Sequence, residues 1–300
     1  EAAMFAPQWI ELTEKAIGWK GLTSAAYYFH AHTNETCDDK KKAIIARYTP
    51  IDVDDLREGA FDIDWFKDAF KTIGKQRFEV VYNAAKYISC SNSHTRARKF
   101  ADATNGAVKA ADIKKEIIAK RNKDLLMSYG LIPLGRKPDK ELLDRYQYLQ
   151  KFLKESKEFG AQRQESEKKA VNIALQNLAR NSGYGDVTRL TWSMETELIK
   201  EIRQQLTEHL EQRFTIEELS KQYLINTSTL KEVFKAVYGL PIATYMKEYR
   251  VHQAMKLLRE TDATIADIAA QVGYETQGKF SKAFKDVTQV LPTEYRKMQY

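Results

Sequence analysis

The sequence predicts an all-α protein in two parts, a helical domain over residues 1–200 and a smaller helical domain over residues 201–300. Three observations carry that expectation. Through most of the chain apolar residues recur every three or four positions, the period of a helix with one buried face. Glycine, proline and asparagine clusters punctuate the pattern, and no short fixed repeat runs through it. From about residue 201 the helices shorten, and a stretch of about fifty residues is used twice.

Taken in order, Ile51–Leu56 follows Pro50, and Phe61–Thr72 places Phe61, Trp65, Ala69 and Phe70 along one side of a helix that Gly74 ends. Phe78–Ile88 reads as helical, although Val80-Val81-Tyr82 also suits a strand. The basic segment HTRARKFADATNG (94–106) stops at Asn105-Gly106, and one further helix is expected over about 110–128. Gly130, Pro133, Gly135 and Pro138 mark a loop near 130–138. Long helical patterns then cover about 139–157 and 162–180, and another begins at Val187.

In the second part, Thr215 aligns with Thr264 and Leu219 with Ile268 at an offset of 49. Leu230 with Phe280, Phe234 with Phe284 and Tyr245 with Tyr295 align at an offset of 50, so one repeat has an extra residue in its turn. A longer helix, about Pro241–Arg259, lies between the repeats, with Ile242, Tyr245, Met246, Tyr249, Ala254, Leu257 and Leu258 as its apolar set. Within the second repeat Ile265, Ile268, Ala269 and Val272 form one face, and Phe280, Ala283, Phe284 and Val287 another. Packed steeply together, such faces make the core of a helix-turn-helix unit. Gly273 stands where the first short helix must stop, Thr276 is placed to cap the next, and Asp262 or Thr264 to cap the one before.

What this leaves exposed is polar. The second repeat offers Gln277, Gly278, Lys279, Ser281, Lys282 and Lys285, the first Thr227, Ser228, Thr229, Lys231, Glu232 and Lys235. Such a front suits a major groove: Gln277 and Lys279 to base edges, Lys282 to guanine, Lys285 to phosphate, and Glu232 to a cytosine amino group. Residues 201–300 carry 14 Lys or Arg against 13 Asp or Glu, so binding would depend on where charge is placed.

These last hundred residues resemble the AraC/XylS family of bacterial transcription regulators, through FTIEELS, TLKEVFKAVYG and YMKEYRVHQAMKLLRETDATIADIAAQVGYETQGKFSKAFKDVTQVLPTEYRK. The resemblance implies seven helices, with two helix-turn-helix units joined by a linker helix and reading adjacent major-groove segments. The reading helices it implies are Thr227–Val237 and Thr276–Val287, with Ser228, Lys231 and Glu232 in the first and Gln277, Lys279, Ser281 and Lys282 in the second as base-edge candidates. The family often has Arg where Glu232 stands and Gly where Gln289 stands. Its members commonly carry a β-barrel sensor in front, which residues 1–200 do not resemble. DVDDLREGAFDIDWFKDAF, HTRARKFADA and ALQNLARNSGYGDVTRLTWSMETELI resemble part of a large bacterial domain of unknown function instead.

The expected function is sequence-specific binding of double-stranded DNA by a transcriptional regulator. RNA polymerase is a further expected partner, as is a small-molecule effector or protein acting through residues 1–200. The alternatives are an enzyme or scaffold domain with a DNA-targeting tail, or a tail turned to protein interaction, for which Glu232 is the warning. No catalytic, cofactor or metal site is expected. The chain has no GxGxxG, GxxxxGK[ST] or GxSxG, and His30, His32 and Cys37 lack a fourth ligand. Asp52, Asp54, Asp55, Asp62 and Asp64 read as helix-start acids. His94, Arg96, Arg98 and Lys99 form a basic cluster that reads as a solvated face or a phosphate contact. Trp9, Trp19, Trp65 and Trp192 read as core or interface residues.

Composition agrees with a globular protein, at 43% hydrophobic and 30% charged, with a formal net charge of +7 that suits nucleic acid without requiring it. The two cysteines, Cys37 and Cys90, require no oxidising compartment. No apolar run approaches the roughly 20 residues of a membrane span and no secretory leader opens the chain, so a cytoplasmic location is expected. The opening Glu1-Ala2-Ala3 lacks an initiator Met, as in a fragment of a longer chain.

Overall fold

The computed structural model describes residues 1–33, 35–88 and 93–298, and every regular element among them is helical. Cys90 lies outside the described residues. The chain divides into two compact units, Glu1–Leu190 and Thr191–Tyr300.

The first unit contains α1 (Ala2–Phe5), α2 (Ile10–Ile17), α3 (Leu22–Ala31), α4 (Asp39–Ile45), α5 (Val53–Glu58), α6 (Ile63–Ile73), α7 (Lys75–Ala84), α8 (His94–Thr104), α9 (Ala110–Lys120), α10 (Lys123–Tyr129), α11 (Pro138–Glu155) and α12 (Ala161–Asn181). At its centre lies α3, every residue of which is buried. A helix apolar all round belongs inside a core. Aromatic rings from its neighbours close on it: Tyr28 meets Phe61 and Phe66 edge-on, and Phe29 meets Phe78. Two of the polar groups carried inside are paired: the Tyr28 hydroxyl donates to the Ala97 carbonyl at 2.9 Å and the Trp65 indole to Ser24 Oγ at 2.9 Å, while Nε2 of His30 and of His32 is buried without a partner among the described residues. His30 and His32 belong to this core. Burial pushes their pKa values down to about 3 and about 4, which keeps both neutral near pH 7. No group of three His, Cys, Asp or Glu among the described residues could hold a metal ion.

Several local readings hold and others need correction. Asp52 and Asp62 accept amide hydrogens at the starts of α5 and α6, as helix-start acids do. Val80-Val81-Tyr82 is helical. The single helix expected over 110–128 is two, because Arg121 adopts a left-handed φ of 46° and Asn122 caps α10. The break is held from a distance: the Arg121 guanidinium reaches Glu155, Glu167 and the Phe152 carbonyl. Burial alone would raise the Glu167 carboxyl, but hydrogen bonds from Arg121, Ser156 and Arg163 outweigh it and bring its pKa to about 2. The basic cluster of α8 is largely spent inside the unit, with Arg96 on Asp124 at 2.8 Å and Arg98 on the Tyr82 carbonyl. Trp65 is core, whereas Trp9 and Trp192 are exposed.

The second unit follows within α13 (Val187–Glu208), continuing through α14 (Ile216–Tyr223), α15 (Thr227–Tyr238), α16 (Ile242–Glu260), α17 (Ile265–Gln271), α18 (Gln277–Thr288) and α19 (Pro292–Lys297). Thr215 with Glu218 and Thr264 with Asp267 form capping boxes at the starts of α14 and α17, each satisfying two amide groups. Helix α16 carries two separate cores. Its first half, through Ile242 and Met246, packs with Leu219, Leu230 and Phe234. Its second half, through Val251, Ala254 and Leu258, packs with Ile268, Phe280 and Phe284. The fully buried Val251 is absent from the apolar set read in the sequence. No helix among the described residues is long and apolar enough to cross a membrane.

Candidate nucleic-acid interface

The two helix pairs, α14–α15 and α17–α18, reach the same shape with different residues. At the turn inside each pair the backbone is left-handed, at Leu224 with φ 57° in the first and at Gly273 with φ 81° in the second. The end of each second helix is left-handed too, at Gly239 with φ 77° and at Gln289 with φ 65°. Each pair thus has one glycine and one strained residue, in opposite places. Gln289 stands where the family resemblance implies glycine, and its φ supplies the physical reason. Gly273 has a second duty. A Cβ there would lie 1.9 Å from the Leu210 carbonyl oxygen, whereas one at Gly239 would meet nothing within 4 Å.

That close approach joins the halves of the unit. The segment leaving α13 passes against the turn before α18, and Arg250 of α16 donates from one nitrogen to the carbonyls of Leu210 at 3.0 Å and Gln212 at 3.1 Å. Arg213 lies 3.7 Å from Glu275. The repeated tyrosines are held alike: Tyr245 accepts from Arg203 at 2.6 Å, and Tyr295 accepts from Arg259.

Helix α18 starts at the Thr276 cap, whose hydroxyl accepts from the Lys279 amide at 3.3 Å. Its buried residues are Phe280, Ala283 and Phe284. At about 100° per residue, the opposite side is Gly278, Lys282 and Lys285, while Gln277, Lys279 and Ser281 fall on its flanks. In α15 the buried pair is Leu230 and Phe234, and the opposite side is Ser228, Glu232 and Lys235, with Lys231 on a flank. All nine predicted site residues are therefore at the surface, eight of them exposed and Ser281 half-buried. The structure brings them together as two fronts, one per helix, with Lys231 displaced from the centre of the first and Gln277, Lys279 and Ser281 from the centre of the second.

Electrostatics separate the two fronts further. Lys282 and Lys285 have no carboxylate partner among the described residues, and neither do Lys231 and Lys235. Lys279 is held 2.6 Å from Glu275. The hydrogen bond from Lys279, with the Lys279 and Arg213 charges, pushes the Glu275 pKa down. Glu232 is exposed without an ion pair among the described residues and occupies, at the offset of 50, the place of Lys282. Glu275 and Arg213 were missed in the sequence. The Glu–Lys spacing of four was a readable signal for the first; the second required the fold.

Residues 219–298 match the model of a helix-turn-helix domain. The HTH-type transcriptional activator RhaR of Mannheimia succiniciproducens is 28% identical over 116 residues, covering 39% of this chain and 39% of that protein. The arabinose operon regulatory protein of Escherichia coli is 29% identical over 99 residues, covering 33% of this chain and 34% of that protein. The chain thus spans less than half the length of these relatives. Among solved structures, the C-terminal domain of AraT, a response regulator from Geobacillus stearothermophilus, is 30% identical over 34% of this chain and 84% of that chain, with a TM-score of 0.33. The second unit is a helix-turn-helix domain like those of AraC-type regulators. Residues 1–194, more than half of the chain, match the model of a family of unknown function (DUF5724), and the chain belongs to that family.

Proposed function

We propose that the chain is a sequence-specific DNA-binding transcriptional regulator of AraC/XylS type in its second unit. The helices α14–α15 and α17–α18 act as two helix-turn-helix units, with α16 as their linker. The observation that carries the reading is the pair of polar fronts on α15 and α18, each braced by a separate core on one continuous helix. With 19 residues at 1.5 Å each, α16 is about 28 Å long, of the order of the roughly 34 Å between successive major grooves on one face of DNA. Two reading helices on its two halves can therefore address neighbouring grooves of one duplex.

In this mechanism Lys235 and Lys285 meet phosphates and set the register. Ser228, Lys231 and Glu232 in one groove, and Gln277, Lys279, Ser281 and Lys282 in the next, meet base edges. The first unit supplies regulation through an effector or protein partner, and bound protein alters the access or recruitment of RNA polymerase. The function is binding, with no turnover.

Titration of the full chain with duplex DNA at several salt concentrations tests this. The expected result is nanomolar to micromolar binding, falling by roughly 0.9 log units per log unit of salt for each phosphate engaged. Binding that is absent at low salt, or indifferent to salt, contradicts the proposal.

A further inference from the structure

The first unit contains a basic cleft among α5, α8, α10 and α12. Its cavity is about 270 Å³, and Arg57, Arg96, Lys123 and Lys169 line it against one carboxylate, Glu58. A second hollow of about 430 Å³ shares Lys123 and Ser166 with the first and adds Arg121 and Arg163. Its one acidic residue, Glu167, is already engaged by both of those arginines. Positive charge therefore dominates both hollows.

The cations are not equivalent. Arg96 is committed, donating to Asp124 at 2.8 Å and to the Arg57 carbonyl at 2.5 Å, and Arg57 lies 3.4 Å from Asp54. Lys123 and Lys169 retain their charge for something else. The only hydrogen bond of the Lys123 ammonium among the described residues goes to a neutral group, Ser166 Oγ at 2.6 Å, and Lys169 has no carboxylate partner among them. Like charges lining a concave site raise the local concentration of anions there. The wall beside them is apolar, formed by Met127, Ala170 and Ile173.

We propose that this cleft binds a phosphate-bearing small molecule, with its phosphates on Lys123, Lys169 and the Ser166 hydroxyl and any organic part against Met127 and Ile173. Neighbouring phosphates carry several charges within a few ångströms, which matches two ammonium groups better than a single carboxylate does. The inference is independent of the DNA reading, because it is measured on the full chain without DNA.

Isothermal titration calorimetry with tripolyphosphate and with ATP tests it, on the native chain and on Lys123→Gln/Lys169→Gln. Both lysines are exposed, so the double variant should retain its fold. Lys67→Gln/Lys71→Gln on α6 removes the same charge away from the cleft. The expected result is saturable binding that weakens at least about tenfold in the cleft variant and stays unchanged in the α6 variant. Tighter ATP than tripolyphosphate supports a ligand with an organic part on the apolar wall, and equal affinities support an inorganic polyphosphate. Absence of binding to the native chain, or equal weakening in the two variants, overturns the proposal.

Discussion

The α14–α15 and α17–α18 pairs share a capping box at the start of their first helix and apolar residues at matching core positions, yet their exposed fronts differ, with opposite sign at one matching position. Where the second pair places Lys282, the first places Glu232; where the second places Gly278, the first places Ser228. The buried positions, Leu230 and Phe234 against Phe280 and Phe284, keep their apolar character. Packing restricts residues to those that fill a fixed space, whereas the front is limited only by what it meets. Under the proposed function the two pairs are one scaffold with two recognition tasks, in which Lys282 would meet acceptor-rich guanine and Glu232 a donor such as the cytosine amino group.

The backbone offers the sharpest way to break the comparison. In Gly273→Ala the new Cβ meets the Leu210 carbonyl oxygen at 1.9 Å and must also adopt a positive φ. In Gly239→Ala only the positive φ is unfavourable. We expect a loss of about 3 kcal/mol or more in the first and about 1 kcal/mol in the second. Hydrogen exchange of the full chain reads both, through lost protection in α17 and α18 for Gly273→Ala and in α15 for Gly239→Ala. Equal losses would remove the assigned role of the Leu210 contact.

The fronts give a smaller effect of opposite sign. Lys282→Ala should weaken binding to a preferred duplex by about tenfold to a hundredfold, the worth of one good base contact. Glu232→Gln removes a carboxylate from a surface facing phosphates and should strengthen binding to arbitrary duplex by about twofold to fivefold. Fluorescence anisotropy at fixed salt measures both. Weaker non-specific binding by Glu232→Gln would contradict the charge comparison.

Much of this arrangement was legible in the sequence because it is local. The duplication, the Thr276 cap and the polar faces of α15 and α18 follow from spacing alone, whereas the cap of α17 was narrowed only to Asp262 or Thr264 and is Thr264 in the structure. Elsewhere tertiary contacts decide. Good helix formers run from Ala110 to Lys120 and resume at Lys123, and the break lies at Arg121, whose guanidinium is held by α11 and α12. The left-handed Leu224 and Gln289 are residues that prefer other conformations, so nothing in their identity announces the turn. Lys279 reads as a central base contact by its place in the first turn, but the phase of α18, set by Phe280 and Phe284, moves it to the flank beside Glu275. The first unit was legible as helices and little more, since the ion pairs that join its helices, such as Arg96 with Asp124 and Arg121 with Glu155 and Glu167, link residues far apart in the chain.

The most direct test of the central claim is selection of bound fragments from random duplex DNA, using the full chain and Lys282→Ala. The account predicts two enriched sequence blocks centred about ten base pairs apart, one of which the variant loses while keeping the other. No enriched sequence, or an identical pattern from both proteins, would contradict it.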